Sequence, residues 1–237
     1  MTSLLVMVPT RWRRENCERS LKSFTENTDN ADIAYITDSD DQDTYEGVDW
    51  GRAENIVFDT GGERAGAARK LNYVASLLAG KYGAFMYTGD DNLFSTPHWD
   101  TMLLKRLENM GGTGMVFGDD RRRNDIPETV VITADIVQEM GHFAEPSLAH
   151  YYLGNVWAEL GGRANLIRYC PETVFEHLHY QANKDVERDQ TYISAEDLWS
   201  APDMKAFLEW RENVMPFEAA RLRRKFNRDL KWLFSKI

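Results

Sequence analysis

Leu4-Leu5-Val6-Met7-Val8 is an unbroken apolar, β-prone run closed by Pro9. A strand that is apolar at every position, rather than at alternate ones, has both faces covered, which is the condition of a parallel sheet sandwiched between helices. Residues 33–37, 55–58 and 84–87 repeat the type in shorter form. Between these runs, Cys17, Leu21 and Phe24 fall at helical spacing within 13–25. Leu71, Val74, Ala75 and Leu78 stripe one face of a helix over 63–80, whose pattern Gly83 breaks. Strand and helix thus alternate through the first 90 or so residues. That order specifies an α/β fold with a doubly wound, Rossmann-like, mostly parallel sheet, whose ligands sit beyond the carboxyl ends of the strands.

The remainder is less regular. Residues 115–117, 129–132 and 166–175 read as strands and 134–140 and 147–160 as helices. From about Pro202 the chain reads as helical to its end, with a break at Pro216. This predicts one domain over 1–200, with an α/β half over 1–105 and an α+β half over 106–200, followed by C-terminal helices over 201–237. With 43% hydrophobic and 28% charged residues, the chain can build a core and lacks the signature of disorder. Its 28 lysines and arginines against 38 aspartates and glutamates leave a net charge of −10, which excludes a surface built throughout to coat nucleic acid. Cys17 and Cys170 stand outside any CxxC or Cys/His cluster and read as reduced, buried thiols. Positive charge follows the short N-terminal apolar run, the reverse of a signal peptide, and no run approaches the ~18 apolar residues of a membrane span. The expected location is the cytoplasm.

Charge is distributed unevenly. Between Lys22 and Arg52 lie nine acids and no base, which apart from Asp38 read as a solvated loop, and Arg121-Arg122-Arg123 reads as another. From Pro216 onward seven bases face two acids, and Leu222, Phe226, Leu230 and Phe234 recur every four residues. Such an amphipathic helix packs on its own domain, or else docks a polyanionic acceptor, a membrane surface or a second subunit.

Tyr87-Thr88-Gly89-Asp90-Asp91-Asn92 places two adjacent carboxylates directly after an apolar strand, at the edge where such sheets bind ligands. Hard oxygen donors there suit a magnesium or manganese ion bridging a diphosphate. A solvated turn would use the same residues. Around this turn stand Val8-Pro9-Thr10-Arg11-Trp12-Arg13, Thr37-Asp38-Ser39, Arg64 with Lys70-Leu71-Asn72, and Trp99. In order and spacing the set resembles the nucleotide-sugar half of GT-A-fold glycosyltransferases, in particular the family-two-like group of phages and bacteria. The resemblance is good over residues 4–105 and loose beyond. It implies a metal-dependent enzyme that moves a sugar from a nucleoside diphosphate sugar, UDP-linked in the first instance, to an acceptor hydroxyl. Residues 1–105 would be the donor half and 106–200 the acceptor half. A phage origin would make a virion protein or a modified DNA base the acceptor and the host cytoplasm the setting.

Under this resemblance Pro9, Thr10 and Arg11 border the base and ribose, and Asp38 accepts from a uracil or thymine imino N–H. Asp90-Asp91-Asn92 looks like the DxD motif, with Asp90 toward the ribose or an ion-bound water and Asp91 directly on Mn2+ or Mg2+. Asn92 stands where a DDD variant has a third acid. Arg64 and Lys70, near a helix that begins after Gly61-Gly62, would receive the diphosphate. Ordinary surface charge is the alternative for both. Asn72 matches a helix asparagine of the family, although a capping asparagine would look the same. In Glu176-His177-Leu178-His179 the resemblance makes His177 the late metal ligand, with His179 second. The family's carboxylate base lies about sixty residues beyond the DxD motif. There this chain reads His150-Tyr151-Tyr152-Leu153-Gly154-Asn155-Val156-Trp157, without an acid. Asp119, Asp120 and His150 are the substitutes, and a retaining mechanism would need no base at that place. Two rivals stand. A sugar-phosphate nucleotidyltransferase would carry a Gly-rich loop where this chain has Pro-Thr-Arg-Trp-Arg-Arg, and a non-catalytic nucleotide-sugar-binding protein would keep the donor site alone.

Overall fold

A computed structural model describes residues 3–181 and 183–226. Strand β1 (Leu4–Pro9), helix α1 (Arg14–Asn27), strands β2 (Asp32–Asp38) and β3 (Glu54–Phe58), helix α2 (Ala67–Leu77) and strand β4 (Ala84–Tyr87) open the chain. After the aspartate turn come β5 (Asn92–Phe94), α3 (Trp99–Asn109), β6 (Met115–Asp119), β7 (Val130–Thr133) and α4 (Ala134–Met140). The chain closes with α5 (Leu153–Ala164), β8 (Ile167–His177), α6 (Gln190–Asn213) and α7 (Met215–Phe226). The strands lie in the order β3-β2-β1-β4-β7-β6-β8-β5. The first four are parallel to their neighbours, β7 enters antiparallel between β4 and β6, and β8 runs parallel to β6 and antiparallel to β5. This is the α/β, mostly parallel sheet with flanking and C-terminal helices that the strand–helix alternation predicts.

Strand β1 is covered on both faces, as its composition requires. Leu4, Val6 and Val8 pack in one core with Phe24, Trp99 and Leu103, while Leu5 and Met7 pack in the other with Leu71, Val74, Trp157 and Leu222. Both cysteines are free and buried. Among the described residues no helix is long and apolar enough to cross a membrane.

Several helix limits differ from expectation, among them both ends of α2, which runs Ala67–Leu77 instead of 63–80, and three others have a clear local reason. Helix α5 starts at Leu153 instead of 147 because the buried Asp203 carboxylate accepts the backbone N–H groups of Ala149, His150 and Tyr151 at 2.7–2.9 Å and holds them out of helical pairing. Helix α6 starts at Gln190 instead of near Pro202, because the Asp189 carboxylate accepts from Tyr192 N at 3.0 Å and caps it. Pro202 sits inside α6 and deprives the Leu198 carbonyl of its helical donor, at a point where the helix is exposed and water can replace it. The break falls at Val214, which leaves Pro216 in the first turn of α7, where a missing N–H costs nothing. Leu222 on α7 is wholly buried, and Arg221 and Lys225 pair with Glu139, so this part of the basic helix packs on its own domain. Leu230, Trp232 and Phe234 lie outside the described residues.

Candidate functional site

The carboxyl ends of β1 and β4, the segments preceding β7 and α5, and the start of α6 enclose a cleft of about 400 Å3. Gly89 leaves room for the Asp91 carboxylate, since a Cβ there would lie 2.5 Å from Asp91 Oδ1. Asp90 and Asp91 are buried at 4% and 6% exposure yet line the cleft. Strand β8 brings in the distant partner. An irregularity opposite Gly118 and Asp119 releases it from β6, so that Phe175, Glu176 and His177 pair with Phe94, Leu93 and Asn92 of β5. His177 Nε2 then stands 3.4 Å from Asp91 Oδ1. Phe94, Phe175 and Trp99 pack ring against ring at 5.1–5.7 Å behind this pairing and hold it in place.

Hydrogen bonds position the two carboxylates. Asp90 accepts from Thr10 Oγ1 at 2.7 Å and from Arg13 at 3.0 Å. Because Thr10 spends its only proton on Asp90, Tyr45 O–H is the donor in the 3.0 Å contact between the two hydroxyls. Arg13 also reaches Asp91 at 3.5 Å, forks onto Asp189 at 2.8 and 3.0 Å, and lies 3.9 Å over the Tyr192 ring. Tyr192 O–H donates to Asp91 Oδ2 at 2.6 Å. Burial raises the Asp90 carboxyl above the ordinary range, against the pull of Arg13. Burial pushes Asp91 the same way, but His177, Arg13 and Tyr192 together outweigh it and hold Asp91 well below that range. Burial lowers the His177 imidazole, and the Asp91 charge more than compensates, so it ends above its ordinary value.

The donor set fits a divalent cation. A carboxylate oxygen and an imidazole nitrogen 3.4 Å apart are close to the roughly 3 Å that separates neighbouring ligands on an ion with bonds of about 2.1 Å. In the same turn Asn92 Oδ1 and Thr88 Oγ1 are buried without hydrogen-bond partners among the described residues.

Pro9, Thr10, Arg11, Arg64, Lys70 and His150 also line the cleft. Asp38 is wholly buried behind it, with one oxygen 2.6 Å from Lys70 Nζ and the other accepting from Arg11 at 2.8 Å. Lys70 is therefore a buried ammonium, its pKa lowered by burial, rather than a surface charge. Arg64 is half-buried, and burial lowers it as well. Among the described residues it has no carboxylate partner, only the Ser194 hydroxyl and the Thr191 carbonyl, and it lies between the rings of Trp12 and Trp199 at 5.6 and 4.8 Å. The start of α2 is partly used within the fold, where Ala68 N–H donates to the Ala149 carbonyl at 2.9 Å.

Asn72, Asp119 and Asp120 stand outside the cleft. Asn72 clamps the segment after α4, accepting from Phe143 N and Ala144 N and donating to the Ala144 carbonyl, all at 2.8 Å. Asp119 accepts from Arg121 N at 2.9 Å, and Asp120 accepts from Arg122 N and Arg123 N at 2.7 Å, so this pair shapes the arginine loop. His150 is pushed down to about 4 by burial, then by Arg64. His179 is likewise pushed down to about 4 by burial, and its ring stacks on Tyr180 at 4.5 Å instead of facing Asp91. Arg13, Tyr192 and Glu128 also line the cleft, and none of them was singled out from the sequence. Arg13 lay inside a quoted motif. Tyr192 sits far down the chain on a helix start, and Glu128 in a stretch without periodicity, so neither carried a signal.

No protein-family model matches the chain, and no curated protein matches its sequence. Solved structures do match its fold. Residues 1–349 of TarS from S. aureus in complex with UDP superpose with a TM-score of 0.56 at 8% identity, over 73% of this chain and 59% of that one. The mannosyltransferase PcManGT from Pyrobaculum calidifontis, in complex with GDP-Man and Mn2+, matches with 0.57 at 14% identity over 92% and 72%. Glucosyl-3-phosphoglycerate synthase from Mycobacterium tuberculosis, with Mn2+, UDP-glucose and glycerol 3-phosphate, matches with 0.58 at 12% identity over 88% and 79%. The chain thus spans less than two thirds of the TarS segment it matches. At these identities the likeness establishes the fold, and the fold is that of the GT-A glycosyltransferases.

Proposed function

We propose that this chain is a metal-dependent glycosyltransferase that moves a sugar from a nucleoside diphosphate sugar, UDP-linked in the first instance, to an acceptor hydroxyl. The observation that carries the reading is the meeting of Asp91 and His177 on one edge of the cleft, 3.4 Å apart, brought together by the pairing of β5 with β8 although they are far apart in sequence. Two donors of that chemistry could hold a divalent ion, and the same cleft contains Arg64, a half-buried cation with no carboxylate partner among the described residues. A buried guanidinium lacking a counter-charge is an anion site. Asp91 and His177 would hold Mn2+ or Mg2+, and Arg64 would meet the diphosphate.

Pro9, Thr10 and Arg11 border the nucleoside. Thr10 orients Asp90 toward the ribose through its 2.7 Å hydrogen bond. Asp38 and Lys70 act through Arg11 and the Thr10 backbone, fixing the loop after β1 instead of touching the ligand. When bound, the ion supplies positive charge against a departing diphosphate. Incubating the full chain with UDP-glucose and GDP-mannose, with and without manganese, tests the reading through release of the nucleoside diphosphate. Manganese-dependent release is expected. Binding without any release would favour the non-catalytic binding protein instead.

A further inference from the structure

Three carboxylates line the cleft: Asp90, Asp91 and Glu128. The first two are fully committed, Asp90 to Thr10 and Arg13, and Asp91 to Tyr192, Arg13 and His177. Glu128 makes no hydrogen bond and no ion pair among the described residues. It is half-buried, and its oxygens are not among the polar atoms sealed from solvent without a partner. A half-buried carboxylate that has no hydrogen bond or ion pair among the described residues and is open to a cleft keeps its acceptor capacity free for a ligand.

Topology places it at the reacting edge. Strand β7 runs antiparallel to β4, and their last pair at that end is Tyr87 with Val130. Going past this pair, β4 leads into Gly89-Asp90-Asp91 while β7 leads back into Glu128, so both reach the same lip of the sheet. Tyr87, His177, Asp120, Arg122 and Arg123 share its electrostatic surroundings.

We infer that Glu128 takes the proton from the acceptor hydroxyl, an inference that rests on the transferase reading. The acceptor oxygen forms a bond to the anomeric carbon as its proton passes to a Glu128 carboxylate oxygen. The bond from that carbon to the diphosphate oxygen breaks, and its electron pair leaves with the nucleoside diphosphate. A single displacement of this kind inverts the anomeric centre. Burial raises the Glu128 carboxyl, which makes it a stronger base than an ordinary carboxylate. His150, pushed down to about 4, is the weaker proton acceptor of the two.

Water can stand in for the unidentified acceptor, so UDP-glucose hydrolysis by the full chain with manganese provides the test. Glu128→Gln is nearly isosteric and removes an unpaired charge, so its melting temperature should equal or exceed that of the wild type. The expected result has two parts: β-glucose is the first anomer seen by NMR, and Glu128→Gln hydrolyses about a hundredfold or more slowly with unchanged UDP affinity. Glu128→Asp should recover part of the rate. First formation of α-glucose, hydrolysis by Glu128→Gln at the wild-type rate, or loss of UDP affinity in that variant would each overturn the assignment. A wild type that binds UDP with manganese but turns over neither UDP-glucose nor GDP-mannose would overturn the transferase reading with it.

Discussion

At the scale of the residue, the Asp91–His177 pair decides how the site responds to pH. Only neutral imidazole binds a metal, so protons and the ion compete for Nε2. The Asp91 charge raises His177 above its ordinary 6.5, and the competition therefore reaches into the neutral range. As pH falls through the raised value the proton wins, and manganese-dependent UDP affinity should drop by about tenfold per pH unit at most. Measured between about pH 5.5 and 8.5, that dependence should be steep in the wild type and flat in His177→Ala. An unchanged slope in His177→Ala would remove the histidine from the ligand set. The resemblance named both members of this pair, but their approach was not legible, because nothing in the residues says where β8 pairs. Glu128 was illegible for a different reason: its distinction is a missing partner, and absence leaves no mark on a sequence.

At the scale of the element, β1, β2 and β4 were legible because continuous apolar runs bury both faces, and the edge strand β3, whose Val57 is exposed, was legible from its β-prone run alone. Strand β5 and helix α3 were missed. Asn92-Leu93-Phe94 continues directly from an aspartate turn, and its strand character comes from Phe94 packing against Phe175 and Trp99 rather than from local pattern. The late start of α5 was likewise set by a remote residue, Asp203. Strand β8 shows how such non-local control reaches the site. Gly118 lies where β8 leaves β6, and a Cβ there would stand 2.5 Å from the Thr173 carbonyl and 2.6 Å from the Phe175 ring. Gly118→Ala must push β8 outward, and overpacking of this kind costs about 1–3 kcal/mol. The variant should melt lower and bind UDP with a smaller gain from manganese, since β8 carries His177. A wild-type melting temperature and a wild-type manganese gain would show that the strand crossing is not what positions the histidine.

At the scale of the whole molecule, the fold concentrates its buried charge on one edge of one sheet. The chain carries a net −10, yet Arg11, Arg13, Arg64 and Lys70 converge on the cleft, and among the described residues Arg64 lacks a carboxylate partner there. Under the proposed function, cations gathered around two aspartates in an acidic protein would receive an anion together with a metal. Binding would then be coupled, the ion and the nucleoside diphosphate each strengthening the other. Titration calorimetry of UDP and GDP against the full chain, with and without manganese, tests it directly when Asp91→Asn is measured alongside. The wild type should bind at least one diphosphate at least about tenfold more tightly with manganese, and Asp91→Asn should show no manganese gain. Equal affinity with and without the ion in both proteins, or no binding of either diphosphate, would contradict it.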